Sequence, residues 1–587
     1  MKRKFFDLVI RFRIPIIILF LLAAVWGAFA KELVQVNYDM NDYLPDESPS
    51  TVSMDKMKDE FEGGIPNARV AVKNVSYAQA LKYKEKLEKI EGVEDVTWID
   101  DVNYLDMPID MLSKDTRDLY YKDNTALYTV TIGEESVNSA VPEIRKVIGD
   151  KNAMTGSAVS TAEATSSTVK EISKIAVIAV FIVFLVLCLT TSSWFEPFIV
   201  LLGIGVAVLI NAGSNLIFGE ISFVTNAAGI ILFCYRLMDK LTHKRLLPSF
   251  GKFGKLVSRV TLYLAIVFCL VMIPSFYASN HNSYYYGSSH IFGAGTRYGE
   301  DTKYIEDTFG IKDTYVLLVK NDDLQKEKML VSELKKSDNI LSVTALSDMI
   351  GPVIPRDMIP KTIREKLESK NYSLMVLSVG VDYEGEETFS LVEKIRNTAQ
   401  KYYGENYYLA GQGVSTYDLM DTITADNVKV NLVAIAAVLI VLLLTMRQIK
   451  TPVVLVLAIE TAIWINLSIP YLRNTPLFYI AYLIISSVQL GATVDYAILF
   501  SDRYRECRAE LGKKDSIVTT VSQTTVSILT SGVTMITVGF LLGAISTHGL
   551  LSQLGYLLGK GTICSVVTVF FVLPGLLYMT DRKKTLF

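Results

Sequence analysis

The sequence predicts an α-helical polytopic membrane protein of about ten spans, folded from an internal repeat and carrying two α+β domains outside the membrane. Three observations predict it. Hydrophobic residues make up 50% of the 587 and charged residues 20%, with a mean hydropathy of +0.33, too apolar for an ordinary soluble domain and too polar for a bare helix bundle. Apolar runs long enough to cross a bilayer alternate with two large polar blocks. Finally, short motifs of the first half return in the second at a constant displacement.

The repeat opens with Lys4-Phe5-x-x-Leu8-Val9, which returns as Lys252-Phe253-x-x-Leu256-Val257. Val72-Lys73-Asn74 returns as Val319-Lys320-Asn321. Thr155-Gly156-Ser157-Ala158-Val159-Ser160-Thr161 returns as Ala410-Gly411-Gln412-Gly413-Val414-Ser415-Thr416. The displacement of 255 residues from Thr161 to Thr416 also carries Pro197 onto Pro452 and Asn211 onto Asn466.

The first apolar run, Ile14–Ala30, follows a basic leader (Lys2, Arg3, Lys4, Arg11, Arg13). Ala28-Phe29-Ala30 resembles a signal-peptidase site, but the recurrence of the same pattern at Lys252 favours an uncleaved span. The further runs are Ile175–Leu189, Phe198–Phe218 and Ile221–Tyr235, then Val260–Phe276, Val430–Leu444, Val453–Pro470, Leu477–Phe500, Ile517–Gly543 and Gln553–Met579. An even number of spans puts both termini on one side. Met1–Arg13, Arg236–Arg259 with its seven Lys and Arg, Arg447–Lys450, Arg503–Lys514 and Arg582–Lys584 then fall together, which makes that side cytoplasmic in a bacterial inner membrane. Reporter fusions after Phe218 and Thr547 are expected to read as outside, and fusions after Lys244 and Lys513 as inside. An outside reading at Lys244 would break the ten-span count.

The domain plan is therefore an N-terminal tail and first span (1–30), a first extracytoplasmic domain (31–174), spans two to four (175–237) and a basic cytoplasmic loop (238–259). A fifth span (260–277), a second extracytoplasmic domain (278–429), spans six to ten (430–579) and a cytoplasmic tail (580–587) follow. In the first polar block, Arg69–Asn74, Tyr77–Glu91, Val93–Ile99, Ala126–Ile132, Val137–Ile148 and Ala153–Gly156 read as βαββαβ. The second block reads the same way through Tyr315–Lys320, Lys326–Lys336, Ile340–Ala345, Ser373–Val381, Thr388–Tyr403 and Tyr407–Gly411. That order is the split, ferredoxin-like arrangement.

The two copies differ in length. Lys4–Gly251 holds 248 residues and Lys252–Phe587 holds 336, an excess of 88, about two or three spans with a loop. The register breaks where this predicts. Tyr235-Arg236-Leu237-Met238-Asp239-Lys240 resembles Tyr578-Met579-Thr580-Asp581-Arg582, so the first copy runs from its fourth helix to the end of its sixth. An internal deletion is the preferred reading and a genuine ten-span variant the rival.

One stretch carries candidate chemistry. Gln489–Glu506, QLGATVDYAILFSDRYRE, plants Asp495 beside Tyr496 inside a span before the chain turns basic. A carboxylate there costs roughly 2.5–3.5 kcal/mol on insertion scales, so its persistence points to an ion pathway. The bland alternative is an Asp snorkelling to the cytoplasmic interface near Asp502 and Arg503. GATVDYAILFSDRYRE resembles the Gly-x-x-x-Asp-Tyr … Arg-Tyr-Arg-Glu signature of the resistance-nodulation-division superfamily, in its MmpL-like branch of lipid and hydrophobe exporters. VNYDMNDYLPDESPS from Val36 is similar to the entry into that family's first extracytoplasmic domain. The resemblance implies a proton relay of two facing Asp-Tyr pairs, one per half. Within the apolar runs this chain holds such a pair only at Asp495-Tyr496, since Asp495 corresponds to Lys240.

Supporting polar groups are expected around the pair. Glu460 lies mid-span at a comparable depth. Thr520, Gln523, Thr524, Ser527, Thr530, Ser531, Thr534 and Thr537 recur at helical spacing and read as one polar stripe, for proton chemistry or for ordinary helix packing. Lys560 is a counter-charge candidate whose depth lies nearer the outer side. The five cysteines (188, 234, 269, 507, 564) and four histidines form no ligand cluster, and no P-loop or nucleophile–base pattern occurs. The expectation is a non-enzymatic transporter without cofactor or metal, exporting lipids or hydrophobic and amphiphilic compounds on the proton-motive force. Its partners are then the hydrophobic substrate, membrane lipids and protons, with a homo-oligomer or accessory envelope proteins left open. The net charge of −3 gives no argument for nucleic acid. The alternative is a non-transporting, sterol-sensing-like lipid binder or accessory protein, or an inactive deletion product.

Overall fold

The computed structural model describes residues 10–37, 44–61, 64–102, 114–191, 196–218, 220–222, 250–349, 361–446 and 448–581. Among them, nine helices are long and apolar enough to cross a membrane. The expected span Ile221–Tyr235 lies outside the described residues except for Ile221 and Ser222, which belong to a strand.

The first half runs α1 (Arg13–Ala30), β1 (Gln35–Asn37), α2 (Pro49–Glu60), β2 (Ala68–Val72), α3 (Tyr77–Leu87), β3 (Val93–Thr97), β4 (Tyr121–Lys122) and β5 (Thr125–Ile132). It continues through α4 (Val137–Ile148), β6 (Ala153–Thr155), α5 (Ser157–Thr190), α6 (Glu196–Ser214) and β7 (Glu220–Ser222). The second half runs α7 (Gly251–Ser279), β8 (Tyr284–Tyr285), α8 (Arg297–Phe309), β9 (Asp313–Lys320), α9 (Leu324–Leu334), β10 (Ile340–Thr344), β11 (Tyr372–Val379), α10 (Glu386–Tyr403) and β12 (Tyr407–Gly411). Then come α11 (Gln412–Met446), α12 (Lys450–Leu472), β13 (Leu477–Phe478), α13 (Tyr479–Glu510), α14 (Lys513–Ile545), α15 (Gly549–Val567) and α16 (Leu573–Thr580), the last two joined by a π-helical turn over Thr568–Val572.

Each polar block holds an antiparallel sheet backed by two helices. The strand orders are β3-β5-β2-β6, with β4 adding to β5, and β10-β11-β9-β12. In the second sheet Tyr315, Leu317 and Val319 face the helices α9 and α10, while Val316 and Leu318 face the other way. That second face is covered by Met57 of α2 and by Phe61 just after it, both in the first half. Reciprocally, Ile305 and Phe309 of α8 cover Ala71, Leu127 and Ala153 of the first sheet. Both faces are thus buried, which is why β9 reads as an unbroken apolar run, not an alternation. Ion pairs fix the exchange: the Arg145 guanidinium donates to Asp301 at 2.5 Å, and Asp418 takes both Arg396 (2.7 and 2.9 Å) and the Ser50 backbone N–H (2.8 Å).

The sheets feed directly into the membrane. α5 and α11 begin on the α+β domains and run 34 and 35 residues without a break, so the spans expected from Ile175 and Val430 are the far parts of longer helices. In each half a short strand after the first long apolar helix pairs in parallel with the strand that follows the third: β1 with β7 and β8 with β13. Glycines set the closest helix crossings. A Cβ on Gly213 would stand 2.2 Å from the Gly27 Cα, and one on Gly555 would stand 2.4 Å from the Gly543 nitrogen. These contacts bring α1 against α6 and α14 against α15, the backbone-to-backbone packing that small residues permit in lipid.

Candidate intramembrane carboxylate site

Asp495 sits halfway along α13, roughly 24 Å from its domain-side end and roughly 22 Å from the other, at 1.5 Å per residue. Its side chain is exposed on the helix surface and makes no hydrogen bond among the described residues. Tyr496, one residue on, turns inward and is 4% exposed. Its hydroxyl lies 3.0 Å from the Ser531 Oγ on α14 and 3.7 Å from the Met535 Sδ. Neighbouring residues on a helix point about 100° apart, so one member of the pair faces the bundle while the other faces outward.

The residues of the stripe expected on α14 lie on one side of the helix but differ in exposure. Thr520, Thr524 and Thr534 are buried, whereas Gln523 and Ser527 are exposed. Most of the threonine hydroxyls are spent on their own helix: Thr524 donates to the Thr520 carbonyl (2.9 Å), Thr530 to Val526 (2.7 Å), Thr534 to Thr530 (2.8 Å) and Thr537 to Val533 (2.7 Å). Gln523 accepts from the Arg503 Nε at 2.5 Å, which places it toward the basic end of α13. Glu460 is half-buried on α12 and makes no hydrogen bond or ion pair with Asp495. Lys560 is half-buried on α15, within electrostatic reach of Arg473 at the domain-side end of α12. Ser531 is therefore the predicted supporting residue that meets the pair, through Tyr496.

A second polar group, not foreseen from the sequence, lies in the core of the same bundle. The Asn466 Nδ2 donates to the Gln489 Oε1 and to the Leu557 carbonyl, both at 3.0 Å. The Gln489 Nε2 donates to the Gly561 carbonyl at 3.1 Å, and the Thr493 and Ser565 hydroxyls are 2.6 Å apart. All four side chains are at most 2% exposed, so they tie α12, α13 and α15 where no water competes. Gln489 lay in plain view six residues before Asp495. Its partners are 23 to 76 residues away, and no local spacing reveals them. At the basic end, Arg508 and Tyr504 both reach the Asp581 carboxylate (2.7 and 3.2 Å), and the Lys513 Nζ donates to the Asp581 carbonyl (2.7 Å).

The domain-side end is tied by a strap. Between α7 and α8, the backbone N–H groups of Tyr286 (2.7 Å) and Gly287 (3.1 Å), the Ser289 hydroxyl (2.5 Å) and the His290 Nδ1 (2.9 Å) all converge on the Glu384 carboxylate of the second α+β domain. Burial alone would raise the Glu384 pKa, but the hydrogen bonds from His290, Ser289 and Gly287 outweigh it and hold the group below the ordinary carboxylate value. The same strap pairs β8 with β13, and its Ile291 carbonyl accepts the Gly549 N–H at 2.6 Å. Motion of the loops that precede α13 and α15 is thereby linked to the domain.

A family model described as the MMPL family matches residues 42–235 and 317–587. A Streptomyces coelicolor protein named "Putative membrane protein" is 26% identical over 202 residues, 34% of this chain. The match spans 29% of that relative's length.

Proposed function

Because the chain belongs to the MMPL family, we propose that it is a proton-driven exporter of lipids or other hydrophobic and amphiphilic molecules, with Asp495 as the protonated group and Tyr496 as its hydrogen-bonding neighbour. The observation that carries this reading is a carboxylate within the apolar part of α13, five residues before that part ends at Phe500, a costly placement that ion pathways use. Protonation neutralises Asp495 and lowers the cost of its lipid-facing position, while ionisation raises it. Such a group biases a helix between two arrangements according to its charge. α13 is coupled through β13 to β8 and so to the Glu384 strap, which gives that bias a mechanical route to the second domain. Both α+β blocks are read as ferredoxin-like domains outside the cytoplasm, where a hydrophobic cargo needs shelter from water. The chain acts as a carrier and not as an enzyme, with Ser531 positioning Tyr496.

One observation favours a second reading, a lipid binder or inactive deletion product. Asp495 is exposed and finds no partner among the described residues. The experiment that separates the two is accumulation of a fluorescent lipid in the lumen of energised inverted vesicles bearing the wild-type chain, whose cytoplasmic face points outward. Export that stops on adding a protonophore is expected. Export that is absent, or indifferent to the protonophore, rejects the transporter.

A further inference from the structure

The strap between α7 and α8 is where three parts of the fold meet. It holds the second α+β domain through Glu384, α13 through the pairing of β8 with β13, and the start of α15 through the bond from the Gly549 N–H to the Ile291 carbonyl. Tyr479, the first residue of α13, sets its ring against Tyr284 at 5.0 Å and Tyr286 at 5.3 Å. Loosening the strap from Glu384 therefore removes a tie between the domain and the starts of two membrane helices.

One titratable side chain of the strap sits between two carboxylates. The His290 Nδ1 lies 2.9 Å from the Glu384 Oε1 and its Nε2 lies 3.9 Å from the Asp382 Oδ2. The Tyr285 ring stacks on the imidazole at 4.2 Å and 8°. An imidazolium turns an N–H to each carboxylate, and the aromatic face favours its charge. A neutral ring has a single N–H. Placed on Nδ1, it leaves a bare Nε2 toward Asp382. Placed on Nε2, it leaves a bare Nδ1 that either faces Glu384 or draws the Ser289 hydroxyl, 2.9 Å away, off that carboxylate. Either neutral tautomer weakens the hold. The side chain keeps 37% of its surface exposed, so it exchanges protons with water.

We propose that the strap is a proton-operated latch, in which doubly protonated His290 bridges Glu384 and Asp382 and fastens the starts of α13 and α15 to the second α+β domain, and loss of that proton slackens the tie. Burial works against the charged ring, but the Glu384 hydrogen bond and the charges of Glu384, Asp382 and Glu306 outweigh it and hold the His290 pKa above the ordinary 6.5. The latch is thus fully fastened below about pH 6.5 and slackens as pH rises through the raised value. Glu384 is held low and stays ionised throughout. Glu306 of α8 is raised by burial, and Asp313 of β9, near Asp382, is pushed up to about 7, with Arg69 of β2 as the cation beside both. His548, whose ring meets Phe292 of the strap at 5.7 Å, is pushed down to about 4 by burial and is neutral over the same range. The inference rests on the strap alone and holds whether or not the chain exports anything.

The test is hydrogen–deuterium exchange of the full chain in nanodiscs, followed on peptides covering residues 280–296 in steps from about pH 5.5 to about pH 8, with each rate divided by that of the unprotected amide. The reporters are the Tyr286 and Gly287 N–H groups that donate to Glu384. Their protection is expected to fall about three- to tenfold across the interval, the scale of a partly exposed, charge-assisted hydrogen bond. His290→Gln, which never carries the charge, should show the low protection throughout, and His290→Lys, which always does, the high protection throughout. Asp382→Asn, at a side chain 42% exposed, should keep the fall and move its midpoint to lower pH. Glu306 and Asp313 titrate in His290→Gln as well, so the difference between wild type and that variant isolates His290. Equal wild-type protection at both ends of the interval, or a fall of wild-type size in His290→Gln, overturns the proposal.

Discussion

Asp495→Asn is expected to abolish protonophore-sensitive export while leaving the amount of protein in the membrane and its melting temperature unchanged. The side chain is exposed and makes no hydrogen bond among the described residues, so the near-isosteric amide removes the proton site without removing a contact. Tyr496→Phe keeps the buried ring and loses the hydroxyl that meets Ser531 at 3.0 Å. A hydrogen bond of that kind is worth about 0.5–1.5 kcal/mol net, so export should slow by about two- to tenfold without stopping. Ser531→Ala should reproduce the Tyr496→Phe effect, and the double variant should add little, because both remove one interaction. The decisive measurement is the initial rate of lumenal accumulation at fixed protein density with and without protonophore. Asp495→Asn vesicles that export at the wild-type rate would make Asp495 an interfacial residue with no part in energy coupling.

Local periodicity made the scaffold legible, and long-range contact hid most of the rest. The apolar runs at Val453–Pro470 and Leu477–Phe500 fall in α12 and α13, helices long and apolar enough to cross a membrane, although Leu477 and Phe478 belong to β13 and α13 runs on to Glu510. Most strands of both sheets were legible from short apolar runs bounded by turns, β4 excepted. The exchange of α2 and α8 between the domains was not, because the contact of Met57 with Val316 and Leu318 joins residues some 260 apart. Its trace in the sequence was indirect: Tyr315–Val319 is apolar on both faces where a half-exposed strand would alternate. The spacing of the α14 polar residues keeps them on one side of the helix, since Thr520 and Ser527 are seven residues and about 20° apart, but it could not tell which of them a neighbouring helix covers: Thr520 is buried and Ser527 exposed. Glu384 gave no sign of its role, since its partners lie nearly a hundred residues earlier in the chain.

Asp313 should make the second α+β domain lose stability as pH rises through the neutral range. Its carboxylate stands at the start of β9, 7% exposed, and accepts the Thr314 N–H at 2.7 Å and the Gly413 N–H, at the start of α11, at 2.9 Å. Burial pushes its pKa up to about 7, the two backbone bonds offset part of that, and Asp382 and Arg69 act in opposite senses nearby. A folded-state pKa above the ordinary value of about 3.9 means that the native protein holds this proton more tightly than the unfolded chain does. The contribution is therefore complete below about pH 4 and disappears as pH rises to about 7, a change of about 4 kcal/mol at 1.36 kcal/mol per pH unit. Burial also raises the Glu306 carboxyl, so part of the wild-type slope is shared with it and the difference between wild type and Asp313→Asn isolates Asp313. The remaining groups act in separable windows. Glu384, held low, withdraws its contribution only as pH falls through the ordinary carboxylate range, and Lys312, pushed down to about 8, changes the balance only above that pH. His290 is opposed by burial but raised on balance by Glu384, so it adds a loss of the same sign above about 6.5. The informative interval is thus about pH 5 to 6. There, thermal melting of the wild-type protein in nanodiscs should fall with rising pH, and Asp313→Asn should flatten the curve. The variant should also melt lower at pH 5, because its amide nitrogen faces a backbone N–H that the carboxyl accepted, at a cost of about 1–3 kcal/mol. Parallel curves for the two proteins across that interval would show that Asp313 is not the group being titrated.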